Sequence, residues 1–340
     1  MEKAMLTTEM LTRERLDNVL DCMKNVRVGV LGDFCMDMYW YADMTRSELS
    51  RETPNFPMPI TGEKMSPGAA GNVACNLLAL EPASVSLFGV IGKDWRGSLL
   101  KEAFEKLGSD IHFVESAERV TNAYIKPMMK GYTDVVYEAS RLDFENIRPL
   151  NETDEAALIE SVEKYAEGLD VLCICDQMRN GCITEKVRNA VEKLAEKGVK
   201  VIVDSRDNIG LYKGVIVKPN DIEAARALGG EVAPDKACEL LAKKNGTLAV
   251  VTAGGDGCFV SDGEKTAHVP AFPAEPPFDI CGAGDTFLSA FALGIGGMAD
   301  ALDAAAAANM ASAVTIKKLG MTGTASKDEI RALLEGGKNT

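Results

Sequence analysis

Asp279-Ile280-Cys281-Gly282-Ala283-Gly284-Asp285-Thr286 runs straight into Phe287-Leu288-Ser289-Ala290-Phe291. The small residues of the first segment permit a tight turn, and the second segment has helical character. Successive backbone N–H groups at a helix N-terminus form a cradle for an anion. A phosphoryl group in transfer spreads charge over its oxygens and needs such donors already in place. Gly282, Ala283 and Gly284 are therefore candidate anion-hole residues, and Asp285 is the candidate acceptor for the proton of an attacking hydroxyl. A carboxylate of ordinary pKa, roughly 4, is a weak base for an alcohol. It would act late, as the bond to phosphorus forms. The same aspartate could do no more than complement the helix dipole, so its partners must decide.

Outward from this turn, short β-branched runs alternate with helical patterns over most of the chain. Strands are expected near residues 26–32, 85–92, 171–175, 199–204, 215–217 and 248–252. Helical stretches fall at 71–79, 153–168, 184–197, 222–228 and 234–245. This rhythm predicts an α/β fold with a mostly parallel sheet covered on both faces. Ligands then gather at the carboxyl ends of the strands. Residues 37–66 and 111–141 break the rhythm and read as one small β lid over a main domain at 25–336, with ordinary edge hairpins as the alternative. Residues 1–24 lack the basic-then-apolar order of a signal peptide and read as an added amphipathic helix.

The 340 residues carry 51 acidic and 37 basic side chains, a net charge of −14. Such a surface repels phosphate backbones, which argues against nucleic-acid and anionic-membrane partners. Nine cysteines without a CxxC pair, and only two histidines, argue against a zinc site. Reduced thiols in a cytoplasmic protein are the expectation.

The chain resembles the ribokinase-like (PfkB) sugar kinases. Asp279 to Asp285 is similar to their D-T-x-G-A-G-D signature. The likeness continues through Gly32-Asp33 and Asp37, Gly68-Ala69-Ala70-Gly71-Asn72, Gly92-Lys93-Asp94, Pro219-Asn220-Asp221-Ile222-Glu223 and Thr252-Ala253-Gly254-Gly255-Asp256-Gly257. It implies a three-layer α/β/α fold, ATP as phosphoryl donor, Mg²⁺, and a homodimer joined through the lid. By resemblance Thr252, Gly254 and Gly257 border the nucleotide, Asn309 lies near adenine, and Asn220 and Glu223 orient water on Mg²⁺. Read from the residues alone, Thr252 to Gly257 also makes a simple hairpin turn. Asn220 and Glu223 are likewise spaced for a helix capping box. Asp33, Asp37 and Asn72 suit sugar hydroxyls, with Gly68 in the turn beside them.

Residues 37–41, 50–54 and 141–145 look closest to the heptose-phosphate kinases. Their D-Y-x-K-G becomes Asp176-Gln177-Met178-Arg179-Asn180-Gly181, and their D-P-K becomes Asp204-Ser205-Arg206. Arginine can grip a phosphate in two-pronged fashion. Arg179 and Arg206, with Arg51 or Arg141 beside them, are therefore candidates for reading a phosphate on the sugar, against surface ion pairing. Ala69 stands where the family usually has glycine, and its methyl is expected to narrow the pocket. Cys281 stands where threonine is common, and a thiol beside a helix N-terminus is expected to be acidified; a small buried filler is the alternative. No nucleotidyltransferase-like segment follows, so a fused second activity is not expected. A nucleoside kinase of the same fold and a non-catalytic sugar sensor are the competing functions.

Overall fold

The computed structural model describes residues 6–7, 11–320 and 322–336. In chain order the first elements are β1 (Leu6–Thr7), α1 (Arg13–Cys22), β2 (Arg27–Gly32), β3 (Phe34–Asp43), β4 (Ile60–Ala69) and α2 (Ala70–Ala79). Next come β5 (Ser84–Gly92), α3 (Trp95–Lys106), β6 (Asp110–Ser116), β7 (Asn122–Lys130), β8 (Val136–Glu138), β9 (Leu142–Phe144) and α4 (Glu152–Tyr165). The chain continues with β10 (Val171–Asp176), α5 (Glu185–Glu196), β11 (Lys200–Ser205), β12 (Ile216–Val217), α6 (Asp221–Leu228) and α7 (Pro234–Asn245). It closes with β13 (Ala249–Thr252), β14 (Cys258–Ser261), β15 (Thr266–Val269), α8 (Ala283–Gly296), α9 (Ala301–Thr315) and α10 (Lys327–Gly336).

The main sheet has the order β1-β15-β14-β13-β12-β11-β10-β2-β5-β6. It is parallel from β13 to β6, with β14 and β15 added antiparallel. Both faces are covered, which is why Val171-Leu172-Cys173-Ile174-Cys175 is apolar without alternation and buried throughout. One face packs against α1, α2, α8 and α9, the other against α4, α5 and α7. Alanines 304, 305, 307, 308 and 311 let α9 lie close to α8. A Cβ on Gly294 would stand 2.8 Å from that of Ala304.

The second sheet has the order β4-β3-β7-β8, with β9 also on β7. It is the lid. Met36, Met38, Ala123 and Ile125 point from it into the core of the main unit, while the alternate side chains face the cleft. Two expectations need correction. Of the residues from 111 onward, those up to Ser116 belong to β6 and pair with β5 in the main sheet, not in the lid. The N-terminal helix is regular only over Arg13–Cys22, whereas Leu6–Thr7 is a strand on the sheet edge; residues 1–5 and 8–10 lie outside the described residues. Among the described residues no helix is long and apolar enough to cross a membrane.

Candidate active site

Gly282 caps helix α8 at its start, and its φ of +79° is the left-handed conformation that favours glycine. The Asp279 carboxylate holds the approach to it, accepting from the Cys281 and Gly320 amides. The Ala283 amide donates to the Ile280 carbonyl at 3.2 Å, and the Thr286 amide closes the first helical turn on Gly282. The amides of Gly284 and Asp285 have no acceptor among the described residues. They are the two donors left for an anion. Gly284 is exposed, and a Cβ there would meet open space.

Five carboxylates gather at the carboxyl ends of the strands, and three already have strong partners. Asp33, 4% exposed, accepts from the amides of Gln177, Met178 and Cys182. Asp176 accepts from the hydroxyls of Ser205 and Tyr212 and the amide of Asn208. Asp204 is ion-paired with Lys218 at 3.1 Å, both buried. Asp33 was expected among the sugar ligands; in the fold its oxygens instead shape loop 177–182, so closely that a Cβ on Gly181 would fall 2.3 Å from them.

Asp37 and Asp285 are the two without such partners. Asp285 keeps part of its surface open to the cleft. Burial first, then the Asp204 charge, pushes its carboxyl up to about 7, while Lys218 and a hydrogen bond from the Asn72 side chain pull the other way. Asn72 is the third residue of α2, not its cap. Burial also raises Asp37, against the Lys126 and Arg141 charges. Gly68 packs on it: a Cβ there would stand 2.6 Å from an Asp37 oxygen. Ala69 keeps the backbone a glycine would favour, with φ +51° and ψ −120°.

On the nucleotide side, Asn220 and Glu223 form a complete capping box at 2.8 and 2.9 Å. Burial, then Asp204, raises the Glu223 carboxyl. Thr252 ends β13 beside Asn220 and donates its amide to the Pro219 carbonyl. Gly254 and Gly257 lie in the β13–β14 hairpin turn. Asn309, 8% exposed, donates its side-chain amide to the carbonyls of Val269 and Pro270 and so ties α9 to the end of β15. No three acidic, histidine or cysteine side chains gather into a metal-holding group among the described residues. A Mg²⁺ ion that retains its waters and takes its other ligands from phosphate still suits Glu223.

A cavity of about 570 Å³ opens beside Tyr124, the register partner of Asp37, and is lined also by the carboxylates of Glu145 and Asp207. Arg179 and Arg206 line it with Tyr124, Asn146 and Asn180. Arg141 is instead held two-pronged by Asp143, at 2.6 and 2.7 Å, and Arg51 lies in an exposed loop off the cavity. Cys281 corrects another expectation. The residue is exposed, which removes the buried-filler alternative, and its thiol is raised, not lowered: partial desolvation, with the carboxylates of Asp279, Asp37 and Asp285, outweighs the nearby Lys126 charge. Lys218 and Lys126 escaped the sequence reading. A lysine closing the apolar run Val215-Ile216-Val217 was a usable signal for the first, since buried lysines are rare without a partner.

Residues 30–328 match the pfkB family carbohydrate kinase profile. "Bifunctional protein HldE" of Gluconobacter oxydans is 33% identical over 334 residues, covering 93% of this chain and 66% of that protein. The namesake from Syntrophotalea carbinolica is 29% identical over 331 residues, with 94% and 65% covered. The chain thus spans about two thirds of the length of these curated relatives. Phosphofructokinase-2 from Escherichia coli in complex with fructose-6-phosphate shares the fold, with a TM-score of 0.71 at 20% identity and coverage of 92% and 99%. Ribokinase from Thermotoga maritima gives 0.64 at 18%, with coverage of 91% and 99%.

Proposed function

Since this chain belongs to the pfkB family of carbohydrate kinases, and is therefore an ATP-dependent sugar kinase, we propose that its acceptor is a sugar phosphate of the heptose-7-phosphate type. The sugar hydroxyl attacks the γ-phosphorus, the bond to the ADP oxygen breaks, and Asp285 takes the hydroxyl proton. One observation carries this reading. Asp285 is a carboxylate without an ion-pair partner that adjoins the two free amides of α8. An acid held near pH 7 can accept a proton late in the transfer and release it afterwards.

Asp37 and Asn72 hold the sugar hydroxyls, with Gly68 giving Asp37 room. Arg179 and Arg206 take the distal phosphate in the 570 Å³ cavity. Thr252, Gly254 and Gly257 border ATP, with Asn309 behind them. Mg²⁺, held through water by Glu223, would neutralise phosphate charge. The lid is the surface through which two copies join: β4 is an open edge, and Tyr41, Ile60, Val136 and Tyr137 expose apolar surface there.

The test is turnover of matched sugars with and without a terminal phosphate, for the native protein and for Arg179→Met/Arg206→Met. Preference for the phosphorylated sugar that disappears in the double variant is expected. Equal or better use of the bare sugar by the native protein removes the phosphate assignment. Native turnover by Asp285→Asn removes the base.

A further inference from the structure

Arg179 lines the 570 Å³ cavity, and its guanidinium has no hydrogen bond or ion pair among the described residues. Nothing at its tip aims it, so its direction is set by its backbone. That backbone belongs to loop 177–182, which Asp33 holds from the sheet side through the amides of Gln177, Met178 and Cys182. The residue after Arg179 is held from the other side. The Asn180 side chain donates to the Asn146 carbonyl at 3.0 Å, and the Asn180 carbonyl accepts from the Arg119 guanidinium.

Asn146 is bound in turn to the base of the lid. It follows β9 by two residues, where β9 pairs antiparallel with the start of β7 through Phe144 and Ala123. Its Oδ1 accepts from the Val120 amide at 3.1 Å, which fixes which end of the side chain is the oxygen. Its Nδ2 donates to the Val120 carbonyl and to Asn122 Oδ1, both at 2.9 Å. Both N–H donors are in use, and none is left to offer a ligand, although Asn146 lines the cavity. The base is itself tied to the main unit: the Thr121 amide donates at 2.9 Å to the carboxylate of Asp94, which caps α3.

We propose that Asn146 is a positioning residue for the acceptor: by joining loop 177–182 to the base of the lid, it aims Arg179 into the cavity before substrate arrives. This rests on the reading of that cavity as the site of the acceptor's distal phosphate. An arginine loses much side-chain freedom when it grips an anion. A backbone already fixed on both sides of it removes the loop's share of that loss. The benefit falls on affinity for the phosphate and not on rate, because the phosphate is held alike before and during transfer. No bond is made or broken at Asn146.

The experiment compares the native protein, Asn146→Ala, Asn180→Ala and the double variant on matched sugars with and without a terminal phosphate. Expected in either single variant is a KM for the phosphorylated sugar higher by roughly tenfold, the size of one net hydrogen bond. The kcat, and the KM for ATP and for the bare sugar, are expected to stay within about threefold of native. The double variant should be no worse than the weaker single one, because both lose the same joint. In an Arg179→Met background, Asn146→Ala should raise that KM no further. Amide hydrogen exchange of residues 178–182, measured without substrate, should quicken in both single variants. Unchanged exchange there overturns the proposal. So does a KM that rises equally for both sugars, or that rises as much again once Arg179 is gone. A native protein that does not prefer the phosphorylated sugar removes the phosphate reading instead, and the exchange rates then still decide whether the joint holds the loop.

Discussion

The charge environment of Asp285 can be tested by changing its neighbours in opposite directions. Its carboxyl lies at about 7 instead of 3.8, a displacement of about three units, or about 4 kcal/mol at 1.4 kcal/mol per unit. Burial contributes most, and the Asp204 charge is next, with Lys218 opposing. Removing one charge close to a carboxyl typically moves it by about one unit or more. Asp204→Asn removes a repelling anion and frees the Lys218 ammonium, so both effects lower Asp285. Lys218→Met removes the opposing cation and raises it.

The assay is the pH dependence of kcat/KM, which reports the free enzyme's essential groups. For the native protein the rate climbs as pH rises through about 7, because the ionised carboxylate is the active form. The rising limb should move down by about one pH unit in Asp204→Asn and up by about one in Lys218→Met. Breaking a buried pair also costs about 3–5 kcal/mol of stability, so each variant's thermal midpoint must be recorded and the profile measured well below it. Limbs that stay put, or that move the same way in both folded variants, would refute the reasoning. A general loss of rate without a shift would mean that the pair acts on something other than the base.

Ala69→Gly should stabilise the fold by about 1 kcal/mol, relief of a glycine-type φ outweighing glycine's extra chain entropy; a lower urea midpoint at unchanged slope would contradict this. Glu223→Gln should raise the Mg²⁺ concentration for half-maximal activity by roughly tenfold, and an unchanged Mg²⁺ titration excludes the role. The cap of α6 should survive that change, because Gln still accepts from the Asn220 amide. Alkylation of Cys281 should be slow at pH 7, climb towards and beyond pH 9, and slow further with ATP bound, since partial desolvation and the neighbouring carboxylates keep the exposed thiol protonated. A rate flat between pH 6 and 8 would show an acidified thiol instead. Asp33→Ala should cost about 4 kcal/mol by stripping three amides of their acceptor, and a chemical-denaturation loss under 1 kcal/mol would show the loop is shaped by something else.

What the sequence made legible follows from how local each determinant is. The βαβ rhythm placed α7 at Pro234–Asn245 and most buried strands to within a residue or two, because a doubly covered strand must be apolar along its whole length. The Gly282–Asp285 turn was legible for the same reason: a left-handed N-cap needs glycine, and the aspartate follows in the first turn. Partnership was not legible. Asp33, Asp176, Asp204 and Asp285 are all aspartates near strand or helix ends in the sequence, and nothing local says that three are occupied. Their partners are up to 149 positions away, as with Asp33 and the Cys182 amide. Lys126 likewise comes to the register position beside Tyr39, two residues from Asp37, only because β3 and β7 pair side by side across some ninety residues. Composition can propose which groups do chemistry, but which of them remain free for it is decided by long-range pairing. In this fold Asp37 and Asp285 are left without an ion pair, and two amides of α8 without an acceptor, among the described residues.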